Sequence, residues 1–127
     1  MESLVAQLKL GSLTLGRQSQ VEKRAAPRKQ VLLAAKVAFG MTTADCTIRD
    51  LSETGARIHA LSILRLPDDV YLLIMAEGLV IHARRVWARF PLFGLKFVAA
   101  EEVERSTRPQ CALLRKAWED WLRAQRA

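Results

Sequence analysis

Cys46–Ile58 reads CTIRDLSETGARI, two short apolar-alternating runs interrupted by a polar hexad. Cys46–Arg49 (CTIR) has the composition of a strand, and Ala56, Ile58 and Ala60 alternate with Arg57 and His59 as the next strand does. Between them stands Asp50-Leu51-Ser52-Glu53-Thr54-Gly55, a D-x-S-x-x-G. In an ordinary turn of this composition Asp50 and Ser52 bond local backbone and Gly55 takes a positive φ. The segment therefore predicts strand, built turn, strand.

The same two-residue period continues outward in both directions. Val31, Leu33, Ala35, Val37 and Phe39 fall on one face of a first strand, and Gly40-Met41-Thr42-Thr43 supplies the turn after it. Downstream, Pro67-Asp68-Asp69 marks a turn before Val70–Ile74 (VYLLI). Leu79–Arg89 is long for one strand. Its inward set Leu79, Ile81 and Ala83 resumes out of phase at Val86 and Ala88, which predicts a bulge at Arg84-Arg85. Phe93, Leu95 and Phe97 complete the series. Short strands at regular spacing imply a β-barrel or sandwich. Beyond them the period changes: after Pro109, Leu113, Leu114, Ala117, Trp118, Trp121 and Leu122 recur at helical spacing. That stripe suits either docking on its own domain or a partner groove.

Charge narrows the partners. The 127 residues carry a net +7, and residues 1–30 alone hold six basic side chains against Glu2 and Glu22. Concentrated charge of this kind reads either as a solubilising tail or as a contact for an anionic partner. The stretch Gln18–Lys29 (QSQVEKRAAPRK) is polar, basic and interrupted by Pro27, so it reads as an exposed linker; within it lies R-x-x-x-R, Arg24 to Arg28. Arg85 and Arg89 repeat that spacing inside a strand. Two isolated cysteines, Cys46 and Cys111, give no disulfide framework. No apolar run approaches the ~18 residues of a membrane span, and no signal peptide is evident, so a cytoplasmic, soluble single domain is expected. A chain of this length buries enough surface for a core of its own.

Taken together, R-x-x-x-R before strand one and D-x-S-x-x-G closing strand two resemble the PilZ domain, the bacterial receptor for cyclic di-GMP. The resemblance runs from about Lys23 to Val98 and includes the Leu-Pro-Asp turn, Val86-Trp87 and Gly94-Leu95-Lys96-Phe97. It implies an all-β fold with a terminal helix: a six-stranded antiparallel β-barrel followed by a C-terminal α-helix. The implied organisation is an N-terminal extension over 1–22, the barrel with its linker over 23–100, and an amphipathic helix over 101–127. It implies cyclic di-GMP as ligand and no other cofactor. The ligand-binding residues carried over are Arg24, Arg28, Asp50, Ser52 and Gly55, with Lys23, Arg57 and Trp87 as extensions.

The residue types suit such a ligand. Arginine forks onto phosphate, bonds the O6/N7 edge of guanine and stacks on a base, whereas lysine supplies charge alone. Asp50 repels phosphate but suits the adjacent N1–H and N2–H donors of guanine, with Ser52 donating or accepting beside it. Adenine lacks the N2 donor, so this edge discriminates. Gly55 lets the loop turn and the backbone approach closely. In the family, a basic residue at the position of Lys23 accompanies binding of a stacked ligand pair. Trp87 offers a stacking face or is an ordinary barrel tryptophan, and Arg57 lends charge or is simply solvated.

The implied device is a switch in which ligand orders the basic linker and alters partner binding or self-association. A nucleotide-independent PilZ-like adaptor is the rival reading. Single-stranded nucleic acid is a poor fit, since that class uses rows of exposed aromatics along a basic groove and only Tyr71 and Trp87 are sheet candidates. No G-x-S-x-G elbow or Walker loop is present, and His59 and His82 have no ligand-spaced companions, so neither catalysis nor metal binding is expected.

Overall fold

The alternation of Val31–Phe39 becomes β1, Lys29–Phe39, in the computed structural model, which describes residues 29–126. Gly40, at φ 57°, turns the chain so tightly that Phe39 pairs with Thr42. β2 therefore starts at the turn and spans Thr42–Leu51, earlier than the apolar pattern alone implies. β3 (Gly55–His59), β4 (Asp69–Ile74), β5 (Leu79–Arg89) and β6 (Leu92–Glu102) follow. All neighbours are antiparallel, in the order β1-β2-β3-β6-β5-β4, and β4 pairs back onto β1 to close the barrel. Closure leaves no free sheet edge.

Two apolar clusters explain the two kinds of strand. Inward residues of every strand, among them Val37, Ile48, Leu51, Ile58, Leu72, Ile81 and Phe93, fill the barrel. Ala38, Leu73 and Val80 point outward, yet they are equally buried, under Val103, Cys111 and Leu114. The continuous apolar runs of β4 and early β5 thus belong to strands covered on both faces. The cover is a helix, α1 (Gln110–Arg126), with Cys111, Leu114, Trp118 and Trp121 against the barrel. The helical stripe therefore docks on its own domain, with Leu113 left 40% exposed beside the seam. Gly78 (φ 60°) has no room for a side chain, since a Cβ there would meet the Trp118 indole at 2.9 Å. Arg115 fastens the helix by donating to the carbonyl of Val103 (3.2 Å) and to that of Ser106.

Two expectations need correction. The helix does not begin at 101: β6 runs on to Glu102, a 3-10 turn takes Val103–Arg105, and α1 starts only after Pro109, whose missing N–H suits a helix start. Val86 does not point into the core and is 55% exposed, whereas Ala88, opposite the core residue Phe93, keeps the inward face at the exposed end of the strand. The extra residue of β5 is Val86 itself, between the pairs Arg85↔Leu95 and Trp87↔Gly94, so Val86 is left to solvent and the inward face resumes at Ala88.

Candidate functional site

Residues paired across a sheet share a face, so strand register decides what stands together. Gln30 pairs with Asp50, Asp50 with Arg57, Arg57 with Gly94, and Gly94 with Trp87. One lateral row thus crosses β1, β2, β3, β6 and β5. Its side chains face outward, because Ile58, next to Arg57, is wholly buried in the core. Asp50, Arg57 and Trp87, which are dispersed in sequence, share this row.

A bulge puts Asp50 there. Ile48 pairs with Ile58 and Asp50 pairs with Arg57, so Arg49 is an extra residue opposite one step of β3. Without it, Asp50 would share the inward face of Ile48. With it, Asp50 turns outward and Leu51 takes the core position opposite Ala56. The Asp50 side chain is only 12% exposed, with Arg57 Nε 2.5 Å from its Oδ2. That nitrogen makes no directed hydrogen bond, so the contact is an ion pair with the N–H off the acceptor line. Arg57 is thus paired in the absence of ligand, not merely solvated.

The loop after Asp50 is held by Ser52, which is buried. Its hydroxyl accepts from the N–H of Thr54 and of Gly55, both at 3.2 Å, and donates to the Gly55 carbonyl at 3.3 Å. Its N–H donates to the same carbonyl at 2.9 Å. The Thr54 carbonyl in turn accepts from Phe97 N–H at 2.8 Å, which ties the loop to β6. Ser52 is therefore the organiser of the turn. Gly55 does not have a positive φ; among the described residues only Gly40 and Gly78 do. It is required for another reason: a Cβ at residue 55 would lie 2.4 Å from the Leu95 carbonyl oxygen. What approaches Gly55 closely is β6.

Gly94 plays the matching role under Trp87. A Cβ there would be 2.1 Å from Trp87 Nε1, so the indole lies across the glycine, 39% exposed. The chain thus presents an aromatic face beside the Asp50–Arg57 pair. At the other end of the row, an open cleft of about 510 Å³ is lined by Gln30, Val31, Leu32, Arg49 and Arg57. Arg49 was missed in the sequence, where strict alternation sends it and Asp50 to opposite faces. Lys23, Arg24 and Arg28 lie outside the described residues; Lys29, which follows Arg28, pairs with Leu51 at the mouth of the loop.

The remaining candidates are structural. Arg85 donates to the Leu66 carbonyl (2.9 Å) and to Asp68 (3.0 Å), so the first arginine of the second R-x-x-x-R braces the Leu-Pro-Asp turn. His82 stacks on Tyr71 at 5.0 Å, with its Nε2 3.4 Å from Asp69. Among the described residues no group of three or more His, Cys, Asp or Glu is placed to hold a metal ion. Both cysteines are free and buried, and burial pushes the Cys46 thiol up to about 12. No helix among the described residues is long and apolar enough to cross a membrane.

Comparison with known proteins agrees with this architecture. The PilZ domain matches residues 22–108. The chain belongs to the PilZ domain family. Among solved structures it is similar to the Borreliella burgdorferi PlzA protein in complex with c-di-GMP, with a TM-score of 0.50 and 19% identity over 87% of this chain. It spans 46% of that protein. A second similar structure is the Legionella uncharacterized protein Lpg0364, with a TM-score of 0.41 and 12% identity over 80% of this chain and 99% of that one. No curated protein matches the chain.

Proposed function

We propose that this chain is a non-catalytic, cytoplasmic receptor for cyclic di-GMP, the ligand named for the similar PlzA structure. The observation that carries the reading is the lateral row: the register of five strands gathers Asp50, Arg57 and Trp87, and β1 enters it one residue after Lys29. Chain connectivity does the rest. An extended chain advances at most about 3.6 Å per residue, which puts the loop mouth at Lys29 within reach of Arg28 and, at ~18 Å, of Arg24.

Asp50 accepts from the N1–H and N2–H edge of a guanine, exchanging its ion pair with Arg57 for two donors of the base. Arg57, released toward the cleft, faces phosphate. Trp87 supplies a stacking surface, and Ser52 and Gly55 act by holding the loop against β6. Arg24 and Arg28 close from the linker onto phosphate and base, with Lys23 positioned for a second, stacked ligand. In this reading residues 1–22 form an extension that moves when the linker orders, and a protein partner or a second copy senses the change.

Calorimetric titration with cyclic di-GMP, with cyclic di-AMP and GTP as controls, tests the proposal. Each charged hydrogen bond contributes about 1.5–3 kcal/mol, so Arg24→Ala should weaken binding roughly tenfold to a hundredfold or more while leaving the ligand-free melting temperature unchanged. Wild-type affinity in Arg24→Ala, or no binding by the wild-type chain, overturns it.

A further inference from the structure

We propose that Arg49 is a further ligand-binding residue, gripping a phosphate of the cyclic dinucleotide from the sheet side of the cleft; the inference rests on the receptor reading above. Consecutive residues of a regular strand point to opposite faces, so Arg49 and Asp50 could not serve one ligand from an unbroken β2. The bulge removes that restriction. Asp50 pairs with Arg57 while Arg49 stands unpaired between that pair and Ile48↔Ile58; Arg49 is exposed, and it lines the cleft together with Arg57 and Gln30.

Charge separates the two sheet arginines. Arg57 is neutralised by Asp50, whereas Arg49 has no carboxylate partner among the described residues. Before Asp50 turns to a base it is paired with Arg57, so Arg49 is the cleft arginine that is uncompensated from the outset. A ligand whose base is held by Asp50 carries its phosphates away from that carboxylate, where the guanidinium one residue earlier meets them beside the released Arg57. The bulge therefore places a base reader and a phosphate holder side by side on a rigid strand, independent of the linker arginines. Fork geometry gives arginine two parallel bonds to phosphate, which lysine cannot reproduce.

The test uses the full chain and cyclic di-GMP, titrated at about 50 and about 200 mM salt, with Arg49→Ala and Arg49→Lys beside the wild type. Arg49→Ala should bind about tenfold or more weakly at the lower salt. Its affinity should also depend less on salt, because one phosphate contact is lost. The preference for cyclic di-GMP over cyclic di-AMP should stay unchanged, since the base edge is read elsewhere. Arg49→Lys should fall between, recovering charge without the fork, and it decides the matter if the alanine variant unfolds. Wild-type affinity and salt dependence in either folded variant overturns the assignment while leaving the receptor reading intact. Failure of the wild-type chain to bind removes that reading, and this one with it.

Discussion

Replacing Gly55 by alanine adds one methyl group to the mouth of the site, and the structure fixes where that methyl goes. It would lie 2.4 Å from the carbonyl oxygen of Leu95 and 3.5 Å from its carbonyl carbon, in a strand that pairs directly with β3. The obstacle is backbone, so no rotamer change relieves it; β3 and β6 must part where the Ser52 turn is fastened. Overpacking of this kind costs about 1–3 kcal/mol. At about 4 °C per kcal/mol for a chain of this length, the melting temperature should fall by roughly 4–12 °C. The Gly55 N–H and carbonyl both bond Ser52, so the loop loosens with the strand and affinity for cyclic di-GMP should fall as well. Gly94→Ala is the control. There the obstacle is the indole of Trp87, a half-exposed side chain that can swing aside, so stability should change by less than about 1 kcal/mol while tryptophan fluorescence shifts. The measurements are thermal unfolding, fluorescence and calorimetry on both variants. A Gly55→Ala protein that melts with the wild type would refute the close-approach reasoning.

Three further outcomes follow from other parts of the molecule. Asp50→Ala should collapse the preference for cyclic di-GMP over cyclic di-AMP in competition titrations, yet lower stability by only about 1 kcal/mol, because the Arg57 side chain is 38% exposed and solvent screens the pair. Leu114→Ala, at the fully buried centre of the helix seam, should destabilise by about 2–5 kcal/mol in urea unfolding and leave ligand affinity unaltered. The Cys46 thiol is held neutral up to about 12 by burial, from an ordinary 9.0. The folded state therefore keeps a proton that the unfolded chain loses, and stability should be level below pH 9.0 and then decline toward pH 12. The decline should reach about 1.4 kcal/mol per pH unit and be absent in Cys46→Ala, as urea midpoints across that range will report.

The strands were legible because their apolar residues recur at a period of two, and the helix because Leu114, Trp118 and Trp121 recur at three and four. Strand ends were less so. Thr42 and Glu102 are polar residues drawn into the sheet by their cross-strand partners Phe39 and Leu79, which a local pattern does not contain. Bulges were hardest. The phase slip in β5 was visible from Leu79 and Val86, but its place and the outward turn of Val86 depend on β6. At Arg49 the trace is slighter: Leu51 follows Ile48 by three residues and so breaks the period set by Cys46 and Ile48, but it lies inside the turn motif, where no strand period is expected. The motif residues Asp50, Ser52 and Gly55 were legible as a group, while their separate jobs required coordinates. Gly55 is a glycine because of Leu95, forty residues away in sequence, and Ser52 is buried within its own turn.

β1 has three neighbours of different kinds along its length. Gln30 abuts Asp50 in the lateral row, Ala35–Ala38 lie against β4 at the seam that closes the cylinder, and Ala38 packs beneath α1. At about 3.3 Å per residue, Gln30 and Ala38 are some 26 Å apart on one strand, whose pairing with β2 shifts once, between Gln30 and Leu33. From Leu33 to Ala38 that pairing is unbroken, so a displacement that passes the irregularity is carried straight to the underside of the helix, and the cleft at Gln30 and the far wall of the molecule are joined by one strand.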